Sequence, residues 1–238
     1  MSYSLNYKQK KLVRNSGKYF FIYKIFHFLA YYLFTKLNSF ATISLTKIFW
    51  GLTIMNIRVL TYIALFAAIM GVMGLMPPIP LGFTPVPVTL QTLGVMLAGS
   101  ILGARLGPKY AAYSMILFLL LVAAGMPLLS GGRGGLGSFV TPSGGYLIGW
   151  VAGAYVIGYI CYKVKEMSLY KLILANIVGG ILVIYLFGIP VQAFMMDIPI
   201  GETIILSLAF LPGDLTKVMI GSLLAVKLQQ AIPQLKEA

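Results

Sequence analysis

From Ile57 onward the chain returns six times to apolar runs of about 18–20 residues, the length a helix needs to cross a hydrocarbon core. No other feature constrains the fold as tightly. The runs are too long and too continuous for the alternating strands of a membrane barrel. Composition points the same way: hydrophobic residues make up 59% of the chain and charged residues 10%, too few charges to cover a water-exposed surface. The expected fold class is an all-α membrane protein with six transmembrane helices and ordered outer loops, plus an atypical N-terminal extension. The spans fall at about Ile57–Leu75, Thr89–Leu106, Lys109–Met126, Gly144–Val164, Leu169–Gly188 and Pro212–Gln230.

The net charge of +13 is unevenly spread. Residues 1–54 hold eight basic residues and no acid, whereas the remainder holds ten basic and five acidic, a net of 10 − 5 = +5. A basic, aromatic-rich leader suits contact with anionic lipid. Nucleic-acid binding would need a polar basic surface that this chain lacks. Composition breaks near Met55, since every proline lies at Pro77 or later. The division expected is therefore 1–54 as the extension and 55–238 as a six-helix membrane domain. Two readings of the extension stand: an extra amphipathic or membrane helix around Phe20–Leu37, or a mis-assigned start with Met55 as the initiator.

Charge also orients the spans. The connections holding Arg105 and Lys109, then Lys163, Lys165 and Lys171, fall on the same side as Arg58, Lys227 and Lys236. The opposite connections hold Asp197, Glu202 and the single base Arg133. The positive-inside bias then places both ends of the six-span unit in the cytoplasm, in a multi-pass cell-membrane protein. The three outer connections are long. The first is proline-rich ("GLMPPIPLGFTPVPVTLQ") and so is expected as a stiff, ordered, non-helical loop. The second ("SGGRGGLGSFVTPSGGYL") is glycine-rich, which permits close backbone approach. The third is apolar enough for a short interfacial helix.

One cysteine, Cys161, and one histidine, His27, are too few for a Cys/His metal centre. No cofactor is expected. The glycine-rich loop lacks the Gly-Lys-Ser/Thr of a phosphate loop, although Arg133 at its centre could reach an anionic ligand, or else be a solvated turn residue. In the first span Ala64 and Ala68 are small residues four apart, suited to internal packing or to a partner helix. Near the C-terminus, "LPGDLTK" places Asp214 in the first turn of the last span, with Lys217 three residues on and on the same face. The pair reads either as a helix cap with its own salt bridge or as a recognition pair for a ligand. Without a histidine or a second carboxylate in the spans, an intramembrane enzyme would have only Asp214 and Lys217 to work with.

Three stretches, "PPIPLGFTPVPVTLQTLGVMLAGSILGARLGPKY", "AAGMPLLSGGRGGLGSFVTPSGGYLIGW" and "AFLPGDLTK", together resemble the biotin-specific substrate-binding S components of energy-coupling-factor (ECF) transporters, the BioY family. The resemblance runs from about Met55 to Ala231. It implies a six-helix fold, a biotin pocket near the outer surface capped by the loop between the first two helices, and no ATP hydrolysis by this subunit. It also implies docking onto a membrane coupling subunit driven by two cytoplasmic ATPase subunits, with Ala64 and Ala68 at that contact. Asp214 and Lys217 match the family's Asp-x-x-Lys pair at biotin. Arg133, Gln91 and Tyr146 lie in the matching motifs and join the candidate site, with Phe83, Phe139 or Tyr146 as its apolar wall. The pair is expected to grip biotin from its two ends. An S component for another small vitamin, and an enzyme using Asp214 and Lys217, are the alternatives.

Overall fold

A computed structural model describes residues 57–164 and 168–231, which belong to the unit Met55–Ala238. Both readings of the extension lie outside the described residues.

Each apolar run folds as a helix. Helix α1 spans Ile57–Gly74. Helix α2 covers 91–106, with a π-helical stretch at Ala98–Gly103. Helix α3 is Pro108–Ala123 and α4 is Gly144–Lys163. Helix α5 runs over Leu169–Met196 with a second π-helical stretch at Val178–Val183. Helices α6 (Ile200–Leu208) and α7 (Leu211–Ala231) follow.

Among the described residues, α1, α4 and α5 are each long and apolar enough to cross a membrane alone. The pair α6–α7, bent by 54°, makes a fourth span if taken as one. Helices α2 and α3 are shorter because Gly107, at φ +118°, ends one and Pro108 begins the next. Proline suits a first helical position, where its missing N–H has no intrahelical partner to lose.

Two departures from the sequence expectation have local causes. The proline-rich connection is not a plain loop but a hairpin, β1 (Ile79–Leu81) antiparallel to β2 (Thr84–Val88), so the domain is not wholly α. Pro80, Pro85 and Pro87 are tolerated there because a two-stranded ribbon has a free edge on each strand. In addition, α5 does not stop near Gly188 but continues through Pro190 to Met196. It ends where Asp197 turns left-handed at φ 54°, with the N–H of Ile198 returning to the Ala193 carbonyl at 3.2 Å. The short helix expected in the third connection is α6.

Helix α4 is the central post. Gly145, Gly149 and Gly153, four residues apart, face α5 so closely that a Cβ would lie 2.4 Å from the Phe187 carbonyl, 2.9 Å from that of Ile184 and 2.6 Å from that of Gly179. Small residues at this spacing let backbones meet, as in membrane helix pairs generally. The same contact sets Tyr146 of α4 against Tyr185 of α5, ring centroids 6.2 Å apart. Below them, Ser100 Oγ donates to Asn176 Oδ1 (2.9 Å) and Asn176 Nδ2 donates to Ser222 Oγ (3.0 Å), tying α2, α5 and α7 through fully buried groups. Where hydrocarbon leaves no water to satisfy polar groups, such closed chains fix the helix arrangement.

Candidate functional site

Helix α7 begins where Ala209 and Phe210 break it from α6, and Asp214 falls in its first turn. Its backbone N–H already bonds the Phe210 carbonyl at 3.0 Å. Its carboxylate bonds side chains rather than backbone N–H groups, so the capping role expected from sequence gives way to a different one. Asp214 Oδ1 is 2.8 Å from Lys217 Nζ, and Oδ2 accepts from the Tyr185 hydroxyl at 2.7 Å. Lys217 Nζ also donates to Thr92 Oγ1 at 2.9 Å. Both charged residues are buried, at 4% and 7% exposure. Helices α2, α5 and α7 thus converge on one ion pair.

That pair lies in the wall of an open-mouthed cavity of about 610 Å³, counting its mouth and the open solvent there. Val86, Pro87 and Val88 of β2 form one side. The hairpin is held down by Gln192 Nε2, which donates to Thr84 Oγ1 at 3.2 Å. Tyr146, Trp150, Tyr185 and Phe210 supply the aromatic surface; Phe83 and Phe139 do not line it, and Phe83 is 55% exposed on the hairpin turn. Tyr146 stacks edge-on to Tyr185 and to Phe210, and its hydroxyl reaches Gln192 Oε1 at 2.7 Å and Ser207 Oγ at 3.3 Å.

The structure brings Asp214, Lys217, Gln91, Tyr146 and Arg133 to one cavity, but they are not equivalent. The Gln91 amide is fully committed within the protein. Its Nε2 donates to the Met70 and Leu128 carbonyls (3.2 and 3.0 Å) and its Oε1 accepts from the Ser130 N–H (3.1 Å), so it binds α1, α2 and the glycine-rich loop together. Arg133 is exposed at the mouth, held by Nε to the Ser130 carbonyl (3.3 Å) and Nη1 to Ser143 Oγ (3.5 Å), leaving three of its five N–H donors for other partners. Ala64 and Ala68 do not line this cavity; Ala64 is half-buried and Ala68 exposed on α1.

Thr92, Trp150, Tyr185 and Phe210 were not singled out from sequence. Trp150 follows Tyr146 by four residues and so shares its helix face, a signal that was available. Tyr185 carries no such mark, because only the packing of α5 brings it to Asp214; Phe210 precedes Asp214 by four residues, a spacing that was also available.

The geometry also corrects one expectation. Charges 2.8 Å apart occupy a single spot and cannot hold opposite ends of an extended ligand. Two acceptor lone pairs on the Asp214 carboxylate and one N–H on the Lys217 ammonium remain uncommitted, side by side.

The BioY family model matches residues 41–234. The chain belongs to the BioY family. The match begins within the N-terminal extension, before Met55. Among BioY relatives, the probable biotin transporter BioY of Bacillus subtilis is 51% identical over 72% of this chain and 90% of its own length. The biotin transporter BioY of Rhizobium etli is 44% identical over 76% of this chain and 98% of its own length. A crystal structure of the S-component for biotin from an ECF-type ABC transporter superposes with a TM-score of 0.69 at 35% identity, covering 73% of this chain and 92% of that one. These BioY relatives are transporters rather than enzymes, and with the apolar helices they make this chain a membrane protein.

Proposed function

We propose that this chain is the biotin-binding S component of an ECF-type importer, and that the Asp214–Lys217 cluster receives the ureido ring. The observation that carries the reading is the donor and acceptor set left open there. Along one edge a cyclic urea presents an N–H donor beside its carbonyl acceptor, and the cluster offers a carboxylate lone pair beside an ammonium N–H. The aromatic wall suits the thiophane ring, and Arg133 at the mouth suits the valerate carboxylate.

In this reading six spans cross the cell membrane, with α2 and α3 each counted as one and α6–α7 as the last. The ends of the unit lie in the cytoplasm and the cavity opens outward. The exposed Ala64–Ala68 face of α1 meets a membrane coupling subunit, and two cytoplasmic ATPase subunits supply the energy. Lipid surrounds the helices, and no nucleic acid takes part.

Purified protein mixed with labelled biotin, thiamine and riboflavin tests the reading. Stoichiometric retention of unchanged biotin, and of neither other vitamin, is expected. Retention of another vitamin instead would assign a different S component, and chemical conversion of biotin would point to an enzyme.

A further inference from the structure

Gln192 of α5 is fully buried, and a buried amide is costly unless both of its ends find partners. Its two ends are spent on two different elements. Oε1 accepts from the Tyr146 hydroxyl at 2.7 Å, and Nε2 donates to Thr84 Oγ1 at 3.2 Å. Tyr146 lines the cavity from α4. Thr84 opens β2, the strand whose Val86, Pro87 and Val88 line the same cavity. One buried amide therefore bridges the aromatic wall and the hairpin.

The hairpin has little else to hold it. Among the described residues, Val86 is the one buried side chain of the two strands, while Ile79 and Phe83 are exposed. The Gln192–Thr84 bond is also, among the described residues, the single hydrogen bond from either strand to a helix. A two-stranded ribbon is marginal by itself, so its docking contacts decide whether it stays in the cavity wall. The two ends of the bridge differ in strength. Tyr146 also reaches Ser207 Oγ at 3.3 Å, and Ser207 donates onward to the Thr203 carbonyl at 2.8 Å, which anchors the wall end in α6. At the other end, a hairpin that lifts takes away the oxygen acceptor of Gln192 Nε2. That leaves the Met196 sulfur at 3.7 Å, a weak acceptor.

We infer that Gln192 is a positioning residue that latches the β1–β2 hairpin to the cavity wall and so sets how fast a bound ligand leaves. Neither Gln192 nor Thr84 lines the cavity, so the latch acts through Tyr146 and β2 and not by touching the ligand. The identity of that ligand rests on the biotin reading above. Release requires the strand to move aside and the Thr84 bond to break; removing the bond speeds exit while every lining group stays in place.

The test compares the purified full-length chain with Thr84→Val, which keeps the side-chain shape without the hydroxyl, and Thr84→Ser, which keeps the hydroxyl. Rapid mixing with labelled biotin is expected to show dissociation about 3- to 10-fold faster in Thr84→Val, association no slower, and Thr84→Ser close to the parent. Gln192→Met should speed release at least as much, and adding Thr84→Val to it should bring no further gain, because both remove the same bond. An unchanged dissociation rate in Thr84→Val, an equal gain in Thr84→Ser, or effects that multiply in the double variant would each overturn the latch. Should Gln192→Met fail to fold, amide hydrogen exchange in the two Thr84 variants carries the test. Without ligand, residues 81–88 should exchange faster in Thr84→Val than in the parent or Thr84→Ser, and equal exchange overturns the inference. That readout needs no biotin, so failure of the parent to bind biotin would overturn the reading beneath while exchange still decides the latch.

Discussion

Lys217 Nζ and Asp214 Oδ1 stand 2.8 Å apart with both residues almost fully buried. In such surroundings neither charge is tolerable without the other, because desolvation of a lone ion outweighs most compensations. Exposed pairs one helical turn apart contribute under about 1 kcal/mol; this one is held by Thr92 and Tyr185 as well. Asp214→Asn and Lys217→Ala are each expected to weaken biotin binding by about 2–4 kcal/mol, roughly 30- to 1,000-fold in Kd. Equilibrium titration of each variant gives the value.

Tyr185 connects the ion pair to the aromatic wall. Its hydroxyl donates to Asp214 Oδ2 at 2.7 Å and fixes the orientation of the carboxylate. Tyr185→Phe keeps the ring and removes only that bond, so affinity should fall by about 1.5–3 kcal/mol, the range for a hydrogen bond to a charged group. Isothermal titration of the phenylalanine variant against the parent measures it.

Arg133 separates the two ends of the ligand. It lies at the exposed mouth while the ion pair is buried, so it should sense the carboxylate alone. Arg133→Ala is expected to weaken biotin by about tenfold and to leave the affinity for biotin methyl ester nearly unchanged. Competition binding with the two ligands distinguishes this from a general loss of the site.

Gln91 is expected to act through stability. Gln91→Leu leaves two backbone carbonyls and one N–H without their side-chain partner, each about 1–3 kcal/mol when buried. The thermal midpoint in detergent should drop by several degrees, and binding should weaken as the glycine-rich loop loosens. An unchanged midpoint would show that the loop is held by other means.

Ala64 and Ala68 should matter only in the assembled transporter. Among the described residues Ala68 is exposed and Ala64 half-buried on α1, so the side chain of Ala68→Trp projects away from the described core. Biotin binding by the purified subunit should be unaffected, while uptake into cells carrying the coupling and ATPase subunits should be lost. Paired binding and uptake assays report both.

Much of this architecture was legible because apolar length and punctuation are local properties. The start of α4 follows from the break at Pro142 and Ser143, and that of α5 from the charged residues Lys163, Lys165 and Glu166 that precede it. Spacing alone placed Asp214 and Lys217 on one face. What spacing could not show was depth: burial of the pair depends on Thr92 and Tyr185, which arrive from helices distant in sequence. Gln91 joined the candidate site because it lies in a motif that matches the family. Its actual partners are backbone groups from α1 and the glycine-rich loop, visible only after folding. The hairpin was half legible. Its prolines exclude helix, but strand pairing depends on register between β1 and β2, which no residue type dictates. The passage of α5 through Pro190 is a tertiary effect, for the surrounding helices and the αL turn at Asp197 decide where it ends.

The most direct test of the central claim is equilibrium titration of biotin into the purified chain and into the Asp214→Asn/Lys217→Ala double variant, both verified as folded. One biotin per chain is expected for the parent. The double variant should lose at least a hundredfold in affinity, about 2.7 kcal/mol, yet less than the sum of the single losses, because the two charges act as one unit. Near-normal biotin binding by the double variant would contradict the account.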